Sequence, residues 1–259
     1  LKRDLEVASG DVVEYQIVEI IDQTDTVWTS LGQDPNAVPM SRVEAAAYLR
    51  EPGWATFKKH NSKYNYKAMI EYYEFDKKRD RNEVDEVWVW SWPYGGMWES
   101  TQAGTGAGWC NSNPVQGVSC NKILTIMGFT MERGGGMHSY GHRVESVMER
   151  VYGEWRNKYR VRVSPNWQLN NWERFSLYNN ECEGVVTANL GNIHYPPNGL
   201  DGAGDGYDYD NSTFVESQAD VWVDYPYLDF TKGSKKVNND TWAKNQGYEN
   251  DPEQGFMVW

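Results

Sequence analysis

Two of the chain's four histidines stand one helical turn apart in the stretch Ile123–Tyr152, ILTIMGFTMERGGGMHSYGHRVESVMERVY. The stretch reads as a buried strand, a glycine-rich turn and a helix. Each helical residue advances by about 100°, so His138, His142, Glu145 and Glu149 fall within roughly 60° of one another. Two imidazoles spaced this way can ligate one ion, and a carboxylate three residues further on shares their face. His194, or an aspartate of Asp208-Tyr-Asp210, is the candidate to close the shell. The expected metal set is therefore His138, His142, Glu145 and His194 around one divalent ion, zinc or calcium. Without an ion, His142 is a candidate acid or base. Met137, Gly141, Val144, Met148 and Val151 form an adjacent apolar stripe expected to be buried. Ser139, Arg143, Ser146 and Arg150 form a third stripe expected to face water.

This helix departs from the His-Glu-x-x-His zinc-peptidase pattern, because Ser139 stands where that pattern places its general base. Hydrogen bonding of the histidines to neighbouring loops is the alternative to a metal. Glu99 and Glu132 are the second constellation. Two carboxyls on neighbouring loops are what glycoside hydrolysis needs, one to protonate the leaving oxygen and one to attack or to activate water. Trp92, Tyr94, Trp98 and Trp109 would supply a floor on which a sugar stacks. The alternative is that Glu132 pairs with Arg133 or Arg143 and Glu99 caps a helix. Asp201, Asp205, Asp208 and Asp210 sit in a glycine-rich loop of the kind that binds calcium, but their spacing misses the EF-hand pattern; Asp208 is also a candidate catalytic acid. Gly134–Gly136 lacks a Walker lysine and the G-x-G-x-x-G pattern, so no nucleotide cofactor is expected, and no G-x-S-x-G elbow marks a serine nucleophile.

The elements that must position these residues follow from periodicity. Val12–Ile21 and Val84–Trp92 read as strands, as does Ile123–Phe129. Ser41–Glu44 is a capping box that opens a short helix to Arg50, and Tyr64–Lys78 reads as a longer one. Asn166–Tyr178 reads as a helix, Val185–Leu190 as a strand, and Asp220–Val223 carries a short strand signal. Strands alternating with helices predict a single α/β domain over residues 1–259: a mostly parallel central sheet flanked by helices, with long aromatic- and glycine-rich loops. In such sheets ligands sit beyond the carboxyl ends of the strands, where Glu99, Glu132 and His194 fall.

Acidic residues exceed basic ones by 37 − 25 = 12. Such a surface repels phosphate backbones and makes nucleic acid a poor partner. No apolar run approaches the roughly 18 residues of a membrane span. Thirteen tryptophans and seventeen tyrosines suit stacking on sugars or other ligands, while an aromatic-rich core is expected to take more than half of them. Cys110 and Cys120 bracket a loop rich in Asn, Pro, Gly and Ser that a disulfide would staple, while Cys182 is expected to be buried and inert. The start at Leu1 reads as a segment of a larger exported protein.

The segments EVWVWSWPYGGMWES, IMGFTMERGGG with GHRVES behind it, and GNIHYPPNG followed by DYD resemble a family of secreted bacterial domains. The likeness runs from Val12 to about Trp242 in motif order. It implies a secreted or cell-surface location and one domain, and it assigns no reaction. It carries over Trp98, Glu99, Glu132, Arg133, His142, Glu145, Ser146, His194, Asn198, Asp208 and Asp210, of which Arg133 and Asn198 are taken as substrate-binding. Three functions remain open. The first is an exported carbohydrate hydrolase using Glu99 and Glu132. The second is a metal-dependent hydrolase of peptide, ester or phosphate bonds built on the histidine helix. The third is a non-catalytic carbohydrate- or surface-binding module.

Overall fold

The computed structural model describes residues 1–22, 29–30, 63–90, 97–129, 133–153, 155, 169–178, 187–199 and 208–259. Its helices are α1 (Lys2–Ala8), α2 (Tyr66–Tyr72), α3 (Phe75–Asp80), α4 (Arg133–Tyr152), α5 (Asn171–Phe175) and α6 (Pro252–Val258). Its strands are β1 (Thr29–Ser30), β2 (Lys63–Tyr64), β3 (Glu86–Trp90), β4 (Ser100–Ala103), β5 (Leu124–Phe129), β6 (Val215–Ser217) and β7 (Lys235–Val237). The chain divides into two compact units, Glu14–Arg143 and Leu1–Val13 with Val144–Trp259.

In the unit Glu14–Arg143, a three-stranded sheet runs β3-β5-β4. β3 lies parallel to β5, with Glu86 opposite Thr125 and Trp90 opposite Phe129. β4 lies antiparallel on the other side, with Ser100 opposite Met127. The sheet is thus mixed, and the mostly parallel sheet expected from the alternation of elements is not found among the described residues. The reason is β4: Ser-Thr-Gln-Ala has no apolar alternation, and it pairs antiparallel with β5 through residues 104–123, a connection that needs no crossover helix. All six residues of β5 are buried, as a central strand covered on both faces requires. On one face Val87, Leu124 and Ile126 pack with Tyr66, Met69 and Ile70 of α2 and Phe75 of α3. On the other, Glu86 pairs with Arg143 of α4 at 2.6 Å. Neighbouring strand residues point to opposite faces, so the sheet is enclosed by α2 and α3 on one side and α4 on the other.

Several predicted elements change shape. The helix expected over Tyr64–Lys78 breaks into α2 and α3 at Glu74, which takes a left-handed φ of 55°. Val12–Ile21 forms no ladder among the described residues, and Val12, Ile17, Val18 and Ile20 are exposed. Alternation alone cannot make a strand without an edge to pair with. Cys110 and Cys120 are free buried thiols, which corrects the expected staple. The Cys110 thiol lies 3.5 Å from the Ser100 hydroxyl, and that of Cys120 faces Asp80. The predicted helix over 42–50 and Cys182 lie outside the described residues.

The other unit packs Tyr209, Val237, Trp242, Ala243 and Phe256 into a core. The Trp242 indole donates to the Tyr209 carbonyl at 2.7 Å. β6 and β7 form an antiparallel pair. Asp220–Val223 lies in a 3₁₀ turn, Ala219–Asp224, rather than a strand. α5 is the short remnant of the helix expected over Asn166–Tyr178, opened by a reciprocal Asn170–Glu173 capping box. No helix among the described residues is long and apolar enough to cross a membrane.

Burial near α2 yields a pH prediction. Burial pushes the Tyr64 phenol up to about 12, with Tyr73 beside it adding to the shift. Tyr66 is raised in the same direction, chiefly by burial. An unfolded tyrosine ionises near 10, so the stabilisation is intact below about pH 10 and is lost as pH rises through the folded value. For Tyr64 the loss should reach about 2 kcal/mol near pH 12, after discounting for its partial exposure. Urea unfolding at stepped alkaline pH should give midpoints that fall in this window for wild type and fall less for Tyr64→Phe.

Candidate functional site

Gly128 and Tyr66 fix the acidic corner. The Gly128 N–H donates to the Glu99 carbonyl at 2.9 Å, which extends the β4–β5 ladder by one residue. The Tyr66 hydroxyl accepts the Trp98 N–H at 2.7 Å. Gly128 has to be glycine, because a Cβ there would meet the Trp98 carbonyl oxygen at 2.3 Å. The Glu99 carboxylate also accepts from the Asn111 side-chain amide.

Only residues 130–132 separate β5 from α4, so the first turns of α4 stand at the carboxyl end of β5. There the His138 and His142 Nε2 atoms face each other at 3.0 Å. Their ring centroids are 4.7 Å apart and the planes cross at 73°. Glu99 places one oxygen 3.7 Å from His138 Nε2 and the other 3.5 Å from His142 Nε2. The imidazole side chains are 7% and 13% exposed, while the carboxylate is 41% exposed. Two nitrogens held about 2.0–2.1 Å from a tetrahedral ion lie about 3.3 Å apart, so this pair needs only a small outward shift to grip one. Two neutral imidazoles meeting nitrogen to nitrogen can share one proton, and an ion can take that proton's place.

Burial along α4 reverses the expected stripes. His138, Ser139 and Glu145 are buried, whereas Val144, Val147 and Val151 are exposed. Of the predicted apolar stripe only Met137 is buried, and Arg143 of the predicted wet stripe is paired with Glu86. The helix buries polar groups because they have work there: an ion pair, a facing imidazole pair and an acceptor for a loop.

That loop is Asn192–Asn198. The Glu145 carboxylate accepts the Ile193 N–H at 2.7 Å. Tyr209 donates its hydroxyl to the Ile193 carbonyl. The Asn192 side chain accepts the His194 N–H at 3.2 Å, and Asn192 and Tyr195 exchange backbone hydrogen bonds. The Tyr195 ring stacks on Tyr178 with centroids 4.5 Å apart and planes 12° from parallel. Gly191 takes a φ of 83°, and a Cβ there would strike the Tyr195 carbonyl at 2.2 Å. His194 is thus carried on a turn pinned on both sides.

Glu145, predicted as a ligand or catalytic group, spends one oxygen holding that turn. Asn198, predicted to bind substrate, is buried and donates its amide to the Asn211 and Thr213 carbonyls. Asp208 accepts from the Asn211 amide at 2.7 Å. Arg133 opens α4, and Trp98 and Trp109 are exposed. Glu132, Trp92, Tyr94, Asp201 and Asp205 lie outside the described residues. Sequence reasoning missed Asn111, whose signal was weak: it is one polar residue in a loop read as a disulfide staple.

No family model, no curated protein and no solved structure matches the chain. What the site can do follows from its own geometry.

The Glu145 hydrogen bond can be checked directly. Glu145→Gln keeps an oxygen acceptor for Ile193, while Glu145→Ala leaves a buried N–H without it. The alanine variant should lose about 2 kcal/mol in urea unfolding and the glutamine variant less than half of that. Equal losses would mean that the charge, rather than the acceptor, holds the turn.

Proposed function

We propose that the chain is a metal-dependent hydrolase whose ion is held by His138 and His142 of α4. The observation that carries this reading is the pair of Nε2 atoms facing each other at 3.0 Å beneath a shared carboxylate. His194, the residue that the sequence offers to close the shell, is the proposed third ligand. Its turn is tied through Ile193 to Glu145, three residues beyond His142 on the same helix. Imidazole ligands favour zinc or a similar transition ion over calcium, which prefers oxygen. Three neutral ligands leave a position for water, and an ion there lowers that water's pKa toward about 7. Glu99 is the proposed general base, since it touches both imidazoles and keeps access to solvent.

The paired-carboxylate glycosidase retains Glu99 from the same geometry, and its second acid, Glu132, lies outside the described residues. A strong chelator separates the two mechanisms. Treated protein should lose hydrolysis of activated ester and phosphate substrates and regain it with zinc. Activity that is indifferent to the chelator would overturn the metal reading. Export is part of the proposal, supported by the acidic surplus of 12 charges; the free thiols of Cys110 and Cys120 no longer support it.

A further inference from the structure

We infer that the surface around Glu99 binds neutral glycans, on an indole platform made by Trp90, Trp98 and Trp109. This deepens the proposed function by naming its substrate class, and it rests on that reading only for the chemical step.

Large aromatic side chains are normally buried, yet these three indoles are 55%, 55% and 54% exposed. Each stands on backbone that is held in place. Trp90 ends β3 in register with Phe129, and its ring packs against Phe129 at 5.0 Å. The Trp98 N–H is bound by the buried Tyr66 hydroxyl. Trp109 precedes Cys110, which is fully buried, donates its N–H to the Ser112 carbonyl and accepts the Ser100 hydroxyl on its own carbonyl. Exposure in these places does not come from fraying. A rigid exposed indole loses little entropy when a ligand covers it.

The three indoles stand on segments that lead to the Glu99 carboxylate. Trp98 is the residue before Glu99, and Trp109 lies two residues before Asn111, whose amide binds Glu99. Trp90 and Glu99 flank the last two residues of β5 from opposite edges, a span of roughly 10 Å or two interstrand spacings. That distance suits several linked sugar rings rather than one. Flat C–H faces lie on indoles while hydroxyls need acceptors and donors between them, which Glu99 and Asn111 supply. The acidic surplus argues against polyanionic glycans and nucleic acid. A protein partner would favour a continuous apolar patch over indoles interleaved with a carboxylate and an amide.

The test is native electrophoresis in gels containing neutral polysaccharides (hydroxyethylcellulose, xylan, glucomannan, β-glucan and starch), with pectin as an anionic control. Wild type should be retarded by at least one neutral polymer. Trp98→Ala/Trp109→Ala should weaken retardation by about tenfold or more, an ordinary loss for aromatic platforms. Wild type treated with a strong chelator should be retarded as untreated protein is, so a failed metal reading leaves this result standing. Acrylamide quenching of wild-type tryptophan fluorescence, reduced by added oligosaccharide, provides a readout that needs no variant. Absence of retardation and shielding across the neutral panel, retardation by pectin alone, or full retardation of the double tryptophan variant would each overturn the proposal.

Discussion

His142→Ala protein, prepared with zinc present and then dialysed, is expected to retain less than about a tenth of the metal that wild type holds. Disturbing a residue that merely orients a ligand typically costs 10–100-fold in affinity, and removing a ligand costs at least that. His138 Nε2 would lose the nitrogen that stands 3.0 Å from it. His138→Ala should behave in the same way, because the two rings contribute equivalently to one short contact. His60, the one histidine outside the proposed set, supplies the control: His60→Ala should keep its metal. Acid should act like the substitution. Protons and the ion compete for the same imidazole nitrogens, so occupancy must fall as pH is lowered. Elemental analysis at several pH values measures both effects. Full occupancy in His142→Ala, or occupancy that does not respond to acid, would remove the metal from the site.

The sequence carried spacing along one helix, but not the partners that arrive from elsewhere. The i, i+4 histidines were legible because helical geometry is local, and α4 indeed spans Arg133–Tyr152. β3 and β5 were legible from aromatic and β-branched runs. β4 was not: Ser-Thr-Gln-Ala becomes a strand only because β5 offers it an edge. Val12–Ile21 is the converse, a strand-like pattern without a ladder among the described residues. Glu145 shows the same limit at a single residue. Its place on the helix was read correctly, but its acceptor role depends on a backbone N–H 48 residues away. Glu99 was read as half of a carboxylate pair whose other half, Glu132, lies outside the described residues; the two imidazoles beside it were not foreseen.

Arg143→Ala should cost about 3 kcal/mol, near the lower end of the range for breaking a buried ion pair, since Arg143 keeps some solvent contact. The cost comes mainly from what is left behind. Glu86 is 11% exposed, its other oxygen is engaged by the Trp88 indole, and without Arg143 its charge lies under α4 uncompensated. Burial opposes the arginine's own charge, but Glu86 and the phenols of Tyr140 and Tyr15 outweigh it, so the guanidinium is held more firmly protonated than usual. Glu86→Gln alone should destabilise by a similar amount for the complementary reason. Arg143→Met with Glu86→Gln should recover most of the loss, because replacing both charges removes the desolvation penalty together with the attraction. Urea curves for wild type, Arg143→Met, Glu86→Gln and their double variant give a coupling energy, and simple additivity would show that the 2.6 Å contact is energetically idle. The pair matters for the site because Arg143 is the residue after His142 and Glu86 opens β3. Their contact sets the rotation of α4 over the sheet, and that rotation decides whether both imidazoles meet Glu99. Metal occupancy should therefore fall in Arg143→Ala and return in the double variant, whereas a purely stabilising pair would change the unfolding midpoint and leave occupancy untouched.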